Sequence, residues 1–175
     1  MHSRALARFA PLMVIAAGCE TAGPPLEPPT DLAANVTPAG VIASASGSAH
    51  RIRSDEIWVL SFNAEKRADG TTTGQVRMDR KDVNVSLNID VTCMSVSGNI
   101  AWIAGIIRNQ SGNIAIDGTI SYFYVIDNGE GSDAPPDVAS AVRLNDVAGE
   151  DLEFCNDQPL LLPASPIAHG NVQVH

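Results

Sequence analysis

From residue 41 onward, apolar and polar side chains alternate with a period of two. The clearest run is "DVNVSLNIDVTC". There Val83, Val85, Leu87, Ile89, Val91 and Cys93 alternate with Asn84, Ser86, Asn88, Asp90 and Thr92. Such alternation predicts a half-buried strand and sets Cys93 on its core face. "IWVLSFNA" predicts a second strand with Trp58, Leu60, Phe62 and Ala64 on one side, and "GQVRMDR" a third. "IAWIAGII", "GTISYFYVI", "VASAVRL", the closing "NVQVH" and an early strand around "ASASGSAHRI" bring the number to about eight. In "GTISYFYVI" the period places Ile120, Tyr122, Tyr124 and Ile126 on one face.

Turn chemistry separates these runs. Asp69-Gly70 is a hairpin signal, and Ser97-Gly98-Asn99 turns the Cys93 strand into the next one. After residue 40 no stretch sustains helical periodicity over a helix-length window. The pattern predicts an all-β domain over 41–175, an antiparallel β-sandwich or small β-barrel of about eight strands.

The preceding residues have another character. Arg4 and Arg8 lead into "FAPLMVIAAG", a short apolar run ending in small residues. A positive start, an apolar stretch and a small-residue end predict a signal peptide over 1–18. The run falls short of the roughly 20 apolar residues that span a bilayer. It ends in Ala16-Ala17-Gly18-Cys19, which resembles a bacterial lipobox with Cys19 as the lipidated residue. Ala16 stands where that motif usually has Leu, and the same residues also fit ordinary small-x-small cleavage. Segment 19–40 then holds five of the eleven prolines and predicts an extended, solvated tether.

Cysteine arithmetic adds a constraint. The chain has three, Cys19, Cys93 and Cys155. Lipid on Cys19 leaves Cys93 and Cys155 to pair in an oxidising compartment. That bridge would close a loop of about 60 residues and contribute about 4 kcal/mol by restricting the unfolded chain. No CxxC or HxxxH spacing accompanies the pair, which disfavours a metal site there.

Four segments, "SFNAEKRADGTTTGQVRMDR", "VSGNIAWIAG", "YFYVIDNGEG" and "GNVQVH", taken in that order, resemble the post-COAP-1 type of bacterial secreted β domain. The resemblance covers 47–175 and is most specific at the DNGE turn, Asp127 to Glu130, and at "GNVQVH". It implies an exported β domain of the kind often appended to adhesive or Ig-like modules. It implies no catalytic residues, substrate or cofactor. Two departures stand out: "GSDAPPD" replaces the shorter Pro-Gly continuation after DNGE, and the Cys93/Cys155 pair lies outside the pattern.

Charge narrows the partners. The formal net charge is −9, with 20 acidic and 11 basic residues. From residue 109 onward ten acids face a single base, Arg143, whereas 41–108 is nearly balanced. That asymmetry disfavours nucleic acid, whose phosphates would be repelled, and is compatible with cation binding, a basic partner or plain solubility. In the turn "DNGEGSDAPPD", Asp127, Asn128, Glu130, Asp133 and Asp137 form a candidate calcium set, because calcium takes six to eight oxygens. Their spacing does not follow the EF-hand order, and Asp-Asn-Gly is equally a tight-turn signature.

Enzyme motifs are missing. The sequence contains no GxSxG, SxxK, HExxH, P-loop or GxGxxG. His50, His169 and His175 would meet only if the terminal strand pairs with the first. Aromatic residues make up 5% of the chain, too few to expect the stacking platforms of a glycosidase groove. The expectation is therefore an exported, membrane-anchored lipoprotein of the cell envelope. Its non-enzymatic β domain would bind a protein or glycan, or serve a structural role. A secreted calcium- or carbohydrate-binding module is the alternative, and a small hydrolase comes third.

Overall fold

The structure, a computed structural model, describes residues 40–53, 56–112 and 116–175. The expected signal peptide 1–18, the Cys19 lipidation site and nearly all of the 19–40 tether lie outside the described residues.

Among the described residues, ten strands form one antiparallel sheet. They are β1 (Val41–Arg53), β2 (Glu56–Arg67), β3 (Thr72–Arg80), β4 (Val85–Ser97), β5 (Ile100–Ser111) and β6 (Ile120–Ile126). The shorter β7 (Val138–Ser140), β8 (Arg143–Asn145) and β9 (Ala164–Pro166) come next, and β10 (His169–Val174) completes the set. The spatial order is β10-β1-β2-β3-β4-β5-β6-β7-β9, with β8 pairing beside β7 on β6. The sheet curls into a half-barrel. "VASAVRL" therefore makes two short strands, β7 and β8, where the pattern predicts one.

The period-two faces converge inside the curl. Leu60, Phe62, Ala64, Val76, Met78, Leu87, Ile89 and Val91 are all buried there. Phe62 and Phe123 meet edge to face at 5.7 Å across the interior. Burying each such large side chain contributes about 1.5–3 kcal/mol. Val83 is an exception to the predicted strand, because β4 begins at Val85 and Val83 stands exposed in the preceding turn.

The strict alternation of β4 breaks once, and the break matters. Its register on β5 shifts between Val91 and Cys93. An extra residue in one strand of an antiparallel pair sends the side chains beyond it to the opposite face. Val91 and Met94 thus belong to the interior core, while Cys93 joins a second cluster on the outside of the sheet. That outer cluster contains Trp102, Tyr122, Tyr124, Phe154 and Cys155. The aromatic face of β6 predicted from the sequence lies here. Phe123 and Val125, on its other face, point into the main core.

An element the pattern did not predict covers the second cluster: helix α1 (Glu150–Asp157). It buries only Phe154 and Cys155, so it carries no amphipathic stripe for a sequence reading to find.

Candidate functional site

The acidic turn predicted as a calcium set joins β6 to β7, and β10 runs beside it. Ser44 of β1 and the residue after β10, His175, exchange both backbone hydrogen bonds at 2.8 Å. In an antiparallel ladder every second residue then turns its amide away from the partner strand. Val172 and Val174 are those residues, and among the described residues no strand lies on their outer side. Carboxylates take its place. The Val172 N–H donates to Asp137 Oδ2 at 2.8 Å, and the Val174 N–H donates to Asp127 Oδ2 at 3.0 Å.

The remaining oxygens hold the turn itself. Asp137 Oδ1 accepts the Asn128 N–H at 2.8 Å, and Asp127 Oδ1 accepts the Gly129 N–H at 2.8 Å. The second is an Asx turn, and Gly129 adopts φ 90°, a conformation that favours glycine. Asn128 Nδ2 donates to Pro136 O at 2.7 Å, and Asn171 Nδ2 of β10 donates to Glu130 Oε1 at 2.7 Å. Asp137 is only 7% exposed, so it is buried against the groups it satisfies. Gly170 allows the close approach next door, since a Cβ there would fall 2.1 Å from Ser48 O.

Three of the five predicted calcium donors, Asp127, Glu130 and Asp137, thus accept from backbone or side-chain N–H groups, while Asn128 is itself a donor through its backbone and side-chain nitrogens. Asp133, the fifth, is exposed. Among the described residues no group of three or more His, Cys, Asp and Glu is arranged to hold a metal ion. What the arrangement does is mechanical: it caps the open edge of β10 and ties it to the β6–β7 end of the sheet. Arg51 of β1 works toward the same end of the barrel, donating to Ser165 Oγ at 3.0 Å and Ser140 O at 3.1 Å.

The first and terminal strands do pair, which was the condition for the histidines to meet. His50 lies opposite His169 with ring centroids 6.2 Å apart. His175 sits opposite Ser44 at the other end of that ladder, roughly 20 Å away at strand rise. The three do not form a site.

The outer cluster is the other chemically dense region. Cys93 and Cys155 form a disulfide with a Cα–Cα separation of 6.3 Å, pinning α1 to β4. Ser95 Oγ donates to Cys155 O at 2.7 Å, and Thr92 Oγ1 donates to Asp151 Oδ2 at 2.7 Å. Trp102 Nε1 donates to Pro159 O, and the Tyr124 hydroxyl donates to Leu162 O. Burial, then hydrogen bonding and repulsion from Glu150, push the Tyr122 phenol above its ordinary pKa, and Tyr122 donates to Glu150 Oε1 at 3.1 Å. Beside the helix lies a groove of 390 Å³, within the usual size range of ligand sites.

Between residues 65 and 108, Glu65, Asp79, Asp82 and Asp90 each pair with a nearby base. At Asp79 burial works to raise the carboxyl pKa, but the Ser86 hydroxyl, Lys81 and Arg77 outweigh it and hold the group below the usual range. The half-buried Trp58 ring carries the Arg80 guanidinium at 5.0 Å. Every other Phe, Tyr or Trp ring among the described residues is buried. Among the described residues, no helix is long and apolar enough to cross a membrane.

Comparison with family models, with characterised proteins and with solved structures returned no match for this chain.

Proposed function

We propose that the chain is an exported lipoprotein of the bacterial cell envelope, holding a non-enzymatic β domain away from the membrane on its Pro-rich tether. The observation that carries this reading is the small-residue run that places Cys19 directly after a short apolar stretch with a basic start. The disulfide supports it, because pairing Cys93 with Cys155 leaves Cys19 as the odd thiol. Acyl chains on Cys19 would bury apolar carbon in the bilayer and hold the domain at its surface.

The role proposed for the domain is binding. Its densest acid turn serves the fold, with carboxylates occupied by backbone amides rather than poised toward a substrate. The likeness to post-COAP-1-type secreted domains fits this reading. Its two most specific segments, the DNGE turn and "GNVQVH", hydrogen-bond to each other, as expected of a fold signature. Incorporation of labelled fatty acid in cells tests the anchor. The wild-type chain should take up label and a Cys19→Ala variant should not; equal labelling of both, or of neither, overturns it.

A further inference from the structure

The groove beside α1 combines several features that the fold does not require. Its floor is apolar, with Phe154 and Leu162, and Leu161 forms part of its wall. Leu161 is 90% exposed.

One face of the helix lines the groove with carboxylates. Glu150, Glu153 and Asp157, at i, i+3 and i+7, all border it, against a single cation in the lining, Arg143. Asp157 stands in the last turn of α1, where the helix dipole disfavours negative charge and no basic residue offsets it. Among the described residues, neither Glu153 nor Asp157 has a cation within ion-pair distance. Unfavourable local choices concentrated at one place mark function more often than fold. The disulfide and the side-chain bonds to Cys155, Pro159 and Leu162 hold both walls in place, so little ordering is needed when a ligand arrives.

The chemistry selects the occupant. Three helix carboxylates outnumber Arg143 in the lining, so anionic surfaces and phosphates are disfavoured. A glycan lacks an exposed ring on which to stack, since Tyr122 and Phe154 are buried. An apolar floor beside unpaired carboxylates is complementary to aliphatic side chains flanked by lysine or arginine. We propose that this groove docks a basic, aliphatic-bearing peptide segment of a partner protein. The proposal rests on the binding role argued above and names its partner class.

The test uses the purified full chain and fluorescent peptides of about ten residues, by anisotropy at two salt concentrations. A peptide alternating lysine and leucine should bind with Kd below about 100 μM, while all-lysine and glutamate–leucine peptides should bind at least tenfold more weakly, at about 1 mM or beyond. The double variant Glu153→Lys/Asp157→Lys, and separately Leu161→Ser, should each weaken binding about tenfold. Reversal at the exposed Asp117 and Asp133, to lysine in both cases, makes the same change in net charge and should leave affinity within about twofold.

No binding by the lysine–leucine peptide at about 1 mM overturns the proposal. Equal weakening by the two charge reversals also overturns it, because it would reveal attraction to overall charge alone. Unchanged melting temperatures verify that each variant is folded. Acylation in cells and peptide binding in vitro are independent readouts. Binding without acylation would retire only the anchor, and acylation without binding would retire only this groove.

Discussion

The 127–137 turn and helix α1 each carry four acids and are separated by about a dozen residues. Asp127 and Asp137 of the turn and Glu153 and Asp157 of the helix are used in opposite ways. In the turn, Asp127 and Asp137 each accept two backbone N–H groups and stand in for a missing strand beside β10. In the helix, Glu153 and Asp157 face a groove and have no partner among the described residues. The turn holds itself by charge-assisted hydrogen bonds, whereas the helix is held by the Cys93–Cys155 disulfide, the buried Phe154 ring and side-chain hydrogen bonds to Glu150, Asp151 and the Cys155 carbonyl. Acidity alone does not identify a site; what the oxygens already satisfy does.

The largest expected effect separates the two kinds of attachment. Replacing both Cys93 and Cys155 by alanine should lower the unfolding free energy by about 4 kcal/mol in urea titration. Hydrogen exchange sharpens this result. The α1 amides should lose protection in the variant well before those of Val172 and Val174, and simultaneous loss would show that the two regions are one cooperative unit.

A smaller contrast compares acid with acid. Asp137→Ala leaves the Asn128 and Val172 amides without their acceptor and should cost about 2–3 kcal/mol. Asp157→Ala should stay within about 0.5 kcal/mol of wild type, because its carboxylate has no partner to lose. Equal costs would remove the distinction.

The smallest expected effect is a null one. Calcium at about 5 mM exceeds the weakest affinities of extracellular modules and should leave the melting temperature unchanged. A clear rise would mean that the turn's oxygens remain free to bind metal.

The architecture was legible because strands announce themselves locally. Leu60, Phe62 and Ala64 alternate as predicted and enter the core as predicted. Cys93 was legible as buried, yet the bulge before it sends it to the outer cluster, and one extra residue leaves no mark in the period. Helix α1 was illegible for a different reason. It buries two residues, Gly149 caps it without a side-chain bond, and Asp157 opposes its dipole. Its place is set by tertiary contacts, the disulfide first among them. The acids of the turn were found in the sequence, but their role depends on β10, more than thirty residues further along. A spacing argument sees donors, not the amides that already occupy them.

The place of β1 in the sheet has a kinetic consequence. Its one neighbour, β2, adjoins it in sequence, while the other, β10, arrives more than a hundred residues later. Contacts so distant along the chain form late, since loop closure must precede them. While a chain emerges from a ribosome or a translocation pore, β1 therefore keeps an open edge until β10 appears. Residues Asp127 and Asp137 emerge before β10 and can form their own turn in advance. The receptor for the closing strand is built before the strand itself arrives.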